Sequence, residues 1–182
     1  MIILINGYLV FAPLYPHFNL WWEQRHHQQQ KLTEVIRSRK SPSNTSRPIP
    51  AGEWLTIPKI ALNTQIFEGP NIYTANKGVW HRPQSSSPTA GGNTVLAGHR
   101  FTYTNPEGIF YNLDKIAVGD TIALAWNGKQ YTYTVSETRV VPPSDVSVEA
   151  PTNDNRLTLY TCTPLWSPKN RLVIIALRSD HV

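Results

Sequence analysis

The segment "DTIALAWNGKQYTYTV", residues 120–135, sets the strongest limit on what this chain can fold into. Two runs that alternate apolar and polar residues flank Asn127–Gly128, a pair that tolerates the positive φ angles of a tight two-residue turn. That pattern predicts a β-hairpin. The same kind of short β-rich run recurs along the chain in "EWLTIPKIALNTQIFEG", "NTVLAG", "RLTLYTC" and "RLVIIALR". No long amphipathic helix separates these runs. Only "NPEGIFYNLDKI" has room for a short helical turn, and Pro142–Pro143 closes the longest strand. Seven or eight short strands in about 130 residues predict an all-β domain, either a closed β-barrel or a sandwich.

The first 51 residues follow a different pattern. Residues 1–22, "MIILINGYLVFAPLYPHFNLWW", contain no Lys, Arg, Asp or Glu. Their length is near the ~20 residues that cross a bilayer, and Trp21–Trp22 suits an interfacial aromatic anchor, so we expect a membrane anchor here. Pro13 and Pro16 would kink a spanning helix, and no small-residue cleavage site follows. Arg25, Lys31 and Arg37 lie after the segment, which by charge bias alone would hold the domain on the cytoplasmic side. Residues 23–51 combine a polar stretch suited to a short exposed helix with the Ser/Pro-rich tether "RSRKSPSNTSRPIP". The β domain is expected over residues 52–182.

Charge and ligand chemistry exclude several classes. The net charge is +5 (17 Lys and Arg against 12 Asp and Glu), but the basic residues are scattered and form no nucleic-acid module. His26 and His27 are adjacent rather than four apart, a poor metal pair. Asp145, Glu149 and Asp154 precede the cysteine strand without forming a clear calcium loop. The sequence calls for no cofactor and no metal.

Cys162 is the only cysteine, so no internal disulfide can form. It ends one strand, and Arg171 opens the next after the loop "TPLWSPKN". If the two strands pair as a hairpin, Arg171 sits beside the sulfur, where a guanidinium favours thiolate and can donate to an oxyanion. Arg178 lies seven residues further on, roughly 23 Å away at ~3.3 Å per residue. His99 follows the strand "NTVLAG", and a cysteine with a histidine elsewhere suits nucleophilic catalysis. His81, in "VWHRP", is the rival base.

"LAGHR", "RLTLYTCTP" and "RLVI", in that order, resemble the three motifs of the sortase family of cysteine transpeptidases. "LTIPKIALNTQIFEG" and "FYNLDKIAVGDTI" are similar to that family's opening strands and to its stretch after the histidine. The resemblance spans about residues 53–178, and "TLYTC" before a proline is its specific element. The short loop and "TCTP" look most like class E or class D.

The resemblance implies an eight-stranded closed β-barrel with short helical turns behind an N-terminal anchor, the domain lying outside the cell. It implies Cys162 as nucleophile, His99 as acid and base, and Arg171 as holder of the oxyanion. Thr161 and Thr163, flanking Cys162, would offer hydroxyls to the substrate backbone. The implied substrates are secreted proteins with an LPXTG-like sorting signal, cut at Thr–Gly and joined to an amine of a cell-wall precursor or a pilin lysine. A hydrolase using water on the same residues and a non-catalytic envelope-binding barrel are the alternatives. With ordinary pKa values, only about one percent of molecules at pH 7 would hold thiolate and imidazolium together.

Overall fold

In the computed structural model of the chain, residues 51–104 and 106–179 are described. The expected anchor (1–22) and nearly all of the expected helix and tether (23–51) lie outside them. Within the unit Pro48–Val182, eight strands form the domain. They are β1 (Trp54–Ile57), β2 (Leu62–Phe67), β3 (Val79–His81), β4 (Asn93–Ala97), β5 (Thr121–Trp126), β6 (Lys129–Val141), β7 (Arg156–Thr163) and β8 (Asn170–Arg178). Their order around the wall is β1-β2-β3-β4-β7-β8-β6-β5, and β1 pairs with β5 to close a barrel. Closure leaves no free sheet edge. The eight-stranded closed barrel expected from the sequence is the fold observed.

Local chemistry accounts for the corners. Asn127 and Gly128 take φ of 49° and 70° between the paired residues Trp126 and Lys129, the left-handed backbone that the hairpin requires. Pro58 ends β1 by opening a 3-10 turn over Pro58–Ile60, which Ala61 closes at φ 51°. Further short 3-10 turns cover Ile72–Asn76, Leu113–Lys115 and Val146–Glu149. Among the described residues, no helix is long and apolar enough to cross a membrane.

Two parallel pairs, β2 with β3 and β4 with β7, interrupt the antiparallel wall. All five residues of β4 are buried, the polar Asn93 and Thr94 included, as in a strand covered on both faces. Leu55, Ile57, Leu96, Phe110, Leu124 and Leu159 fill the interior, each fully buried. Burial of such a side chain contributes roughly 1.5–3 kcal/mol, which makes the barrel a stiff frame for its rim. On β6, a bulge between Val135 and Glu137 shifts the register, and the strand continues along β8 as far as Val141 opposite Arg171. That extension builds a wall beside the rim where β7 ends.

Candidate active site

The site lies at the rim shared by β4, β7 and β8. Cys162 and Arg171 face each other as cross-strand partners in the β7–β8 ladder. Arg178 pairs with Tyr133 at the other end of β8, and its guanidinium stacks 4.7 Å over the Tyr131 ring. The hairpin expected from the loop spacing is present, and only Arg171 shares the cysteine's end.

His99 reaches the same rim through the parallel pair. Ala97 of β4 is level with Tyr160 of β7, and Gly98 N donates to Tyr160 O at 3.3 Å. Continuing that register by two residues sets His99 level with Cys162. His99, Cys162 and Arg171 all line one groove of about 600 Å³, walled further by Trp80, Tyr160 and Val148. His81, the rival base, does not line it. Its Nδ1 contacts Glu68 at 2.6 Å and its Nε2 lies 3.0 Å from both the Ser86 carbonyl and Ser85 Oγ.

The backbone around His99 is held tightly. Its carbonyl accepts from Phe110 N at 3.0 Å, and Gly108 N donates to Arg100 O at 3.1 Å. A side-chain carbon on Gly108 would collide with the His99 carbonyl, and one on Gly98 would come within 2.7 Å of Ile109 and Phe110. Both positions therefore need glycine. The His99 ring is half-buried and its Nε2 meets Asn76 Oδ1 at 3.0 Å. In the tautomer that donates from Nε2 to this oxygen, Nδ1 is left to take up a proton.

Burial lowers the His99 pKa below its ordinary value, because desolvation penalises the imidazolium. We expect NMR titration to place His99 below ~6.5. Asn76→Asp should raise it, since a carboxylate then faces the ring. Titration of His99 at or above its ordinary value in the parent would contradict the burial argument.

Arg171 is held ready at the rim. Its Nη1 donates to the Pro168 and Asn170 carbonyls at 2.9 and 3.1 Å, within the Cys162–Arg171 loop. Of the two threonines, Thr161 requires a correction. Thr161 is buried, 2% exposed, and its hydroxyl donates to the Gly98 carbonyl at 2.8 Å. It is committed within the protein and does not present itself to a substrate backbone. The half-buried Thr163 hydroxyl accepts from Arg100 Nη1 at 3.1 Å and keeps its own proton to donate. The cause is the parallel β4–β7 pairing, which lays the chain around His99 alongside the chain around Cys162.

In the same groove, Arg82 Nε and the Tyr160 hydroxyl both donate to Glu149 Oε1, at 2.8 and 2.6 Å. Arg82 also stacks 4.4 Å over Trp80. This network ties the Val146–Glu149 turn to the groove wall. Burial first, and the Glu149 bond second, push the Tyr160 phenol well above its ordinary pKa. Of the other acidic residues noted before β7, Asp145 caps that turn by accepting from Ser147 N, and Asp154 pairs with Arg156. No metal-binding cluster occurs among the described residues. Asn76, Arg100, Gly108 and the Glu149 network are site features that the sequence did not announce. Asn76 meets His99, Arg100 meets Thr163 and Glu149 meets Arg82 across 23, 63 and 67 positions, and only the resemblance containing "GHR" touches one of them.

A sortase-domain family model matches residues 55–179, which is most of the chain and nearly all of the barrel. Sortase A of Listeria monocytogenes is 32% identical over 149 residues, covering 81% of this chain and 64% of that protein. Sortase D of Bacillus subtilis is 32% identical, covering 60% and 53%, and sortase SrtE1 of Streptomyces coelicolor is 29% identical, covering 91% and 52%. The chain thus spans between half and two thirds of these curated relatives. Among solved structures, a Clostridium perfringens sortase D5 transpeptidase superposes with TM-score 0.63 at 29% identity, over 70% of this chain and 78% of that one. Sortase A from Corynebacterium diphtheriae gives 0.65 at 29% identity, over 75% and 64%. Relatives named for classes A, D and E match at 32%, 32% and 29% identity, so the likeness is to the family rather than to one class. With the family model, curated relatives and solved structures in agreement, the chain belongs to the sortase family.

Proposed function

We propose that this chain is a cysteine transpeptidase acting on LPXTG-like sorting signals. The observation that carries the reading is the register itself: Cys162 opposite Arg171 on one side, His99 level with it on the other, all on one groove. Cys162 Sγ attacks the carbonyl carbon of the Thr–Gly bond, and the tetrahedral oxyanion is met by the Arg171 guanidinium. Collapse breaks the C–N bond. His99 hands a proton to the departing glycine amine, leaving a thioester on Cys162. An incoming amine, of a cell-wall precursor or a pilin lysine, then loses a proton to His99. It displaces the sulfur, and a new amide forms.

Burial of His99 favours its neutral form, the form that takes a proton from the incoming amine. The test is incubation with a panel of LPXTG-like peptides and amine acceptors, with products read by mass spectrometry. A new amide to the added amine is the expected product. Free acid alone would make the protein a hydrolase, and no reaction with any peptide would return it to a binding role.

The proposal includes location: residues 1–22 anchor the protein, with the barrel outside the cell. Full-length protein should sediment with membranes and be cut by protease added to intact cells. A form beginning near Gly52 should be soluble and retain the activity, because the strands run from Trp54 to Arg178. Full-length protein in the detergent-free soluble fraction would contradict the anchor, and shielding from protease would place the domain inside.

A further inference from the structure

The β4–β7 ladder pairs residues 63 positions apart, from Asn93 with Arg156 to Ala97 with Tyr160. Backbone pairing ends there, but the offset does not. Thr161 Oγ1 donates to the carbonyl of Gly98, and Arg100 Nη1 donates to Thr163 Oγ1; both bonds again span 63 positions. Between these two rungs, at the same offset, stand His99 and Cys162. The residues on either side of the cysteine are thus fastened to the residues on either side of the histidine.

We propose that these two hydrogen bonds form a clasp that sets the spacing of His99 and Cys162, which makes Arg100, Thr161 and Thr163 positioning residues for proton transfer at the cysteine. The inference rests on the transpeptidase reading for its consequence in turnover, but not for its effect on the thiol.

The Arg100 rung is built to be rigid. Its side chain is 7% exposed and its Nη2 meets Asp114 at 2.6 Å, with Nε reaching the Tyr111 carbonyl at 3.4 Å. A buried arginine paired in this way cannot swing without leaving a charge unsatisfied. Its remaining nitrogen is therefore presented to Thr163 in a fixed place. Thr161 is buried, and rotating its hydroxyl away would orphan both itself and the Gly98 carbonyl. Without the clasp, the segment after β4 would keep the Gly98 N to Tyr160 O bond before the histidine and the bonds from Gly108 and Phe110 on its far side, but no bond to β7 beyond the histidine.

Thr163→Val is the informative variant, since it keeps the shape and removes the acceptor, whereas Arg100→Met breaks a buried ion pair and endangers folding. Two readouts are needed on full-length protein. One is kcat and KM for transfer of an LPXTG-like peptide to an amine. The other is the rate at which iodoacetamide alkylates Cys162, followed from about pH 5 to about pH 10 in the parent, His99→Ala, Thr163→Val and Thr163→Ser proteins.

The clasp predicts that Thr163→Val lowers kcat about tenfold with KM unchanged. It also predicts that the variant's alkylation profile moves from the parent's toward that of His99→Ala, and that Thr163→Ser restores both. Parent-like kcat and alkylation in Thr163→Val would overturn the clasp while leaving the reaction standing. A kcat loss matched by loss of folded protein at the assay temperature would also overturn it, as would a parent profile already equal to that of His99→Ala. If the parent transfers no peptide yet Thr163→Val still shifts the alkylation profile, the reaction reading fails and the clasp stands.

Discussion

Cys162→Ala should abolish thioester formation and acyl transfer completely while the barrel melts close to the parent temperature. No other cysteine exists to substitute, and an alanine methyl cannot form the acyl intermediate. The fold should survive because Cys162 is only half-buried at the strand end and belongs to none of the core clusters. The change removes one sulfur from a groove wall, leaves no enclosed cavity and disturbs no hydrogen bond of the β7–β8 ladder. Rate and melting temperature should therefore separate cleanly. Retained transfer in this variant would remove Cys162 from the chemistry. Loss of activity together with loss of the fold would mean that the residue serves packing.

Arg171→Ala should slow acylation by about 10²–10³-fold, the effect of losing one donor to a developing oxyanion. Stability should change little. The guanidinium bonds only to carbonyls of its own loop, at Pro168 and Asn170, and it has no carboxylate partner among the ion pairs of the described residues. Arg171→Lys should recover the rate only in part, because an ammonium lacks the planar fork that can serve the loop and the oxyanion at once. Arg178→Ala is the control. It sits at the far end of β8 over the Tyr131 ring, so its loss can lower the melting temperature without slowing acylation. Acylation slowed by Arg178→Ala but normal in Arg171→Ala would contradict the assignment of the oxyanion role to the cysteine's cross-strand partner.

Legibility in the sequence followed the range over which each physical constraint acts. The Asn127–Gly128 turn was readable because two adjacent residues carry the positive φ that the hairpin demands. The Cys162–Arg171 pairing was readable because a short loop leaves two strands little choice but to meet. β3 left no such trace. Its three residues, "VWH", are too few to show a period, and its partners β2 and β4 are chosen by barrel closure.

The parallel β4–β7 pair was likewise hidden, since nothing local ties residue 93 to residue 156. With it were hidden the true partners of Thr161 and Thr163. Read locally, their hydroxyls flank a reactive sulfur and look free for substrate. In three dimensions they bond to Gly98 and Arg100. Glu149 shows the same limit. In sequence it is an acidic residue near the cysteine strand, and in the fold it receives Arg82 and Tyr160.

The most direct measurement of the central claim is the intact mass of the protein after brief exposure to an LPXTG-like peptide without added amine, followed by tryptic mapping. The account predicts an adduct equal to the peptide through its threonine, joined as a thioester. It should map to the fragment Leu157–Lys169, be released by hydroxylamine, and be absent from Cys162→Ala. Cleavage of the peptide at Thr–Gly by the Cys162→Ala protein, or an adduct mapping to any other fragment, would contradict it.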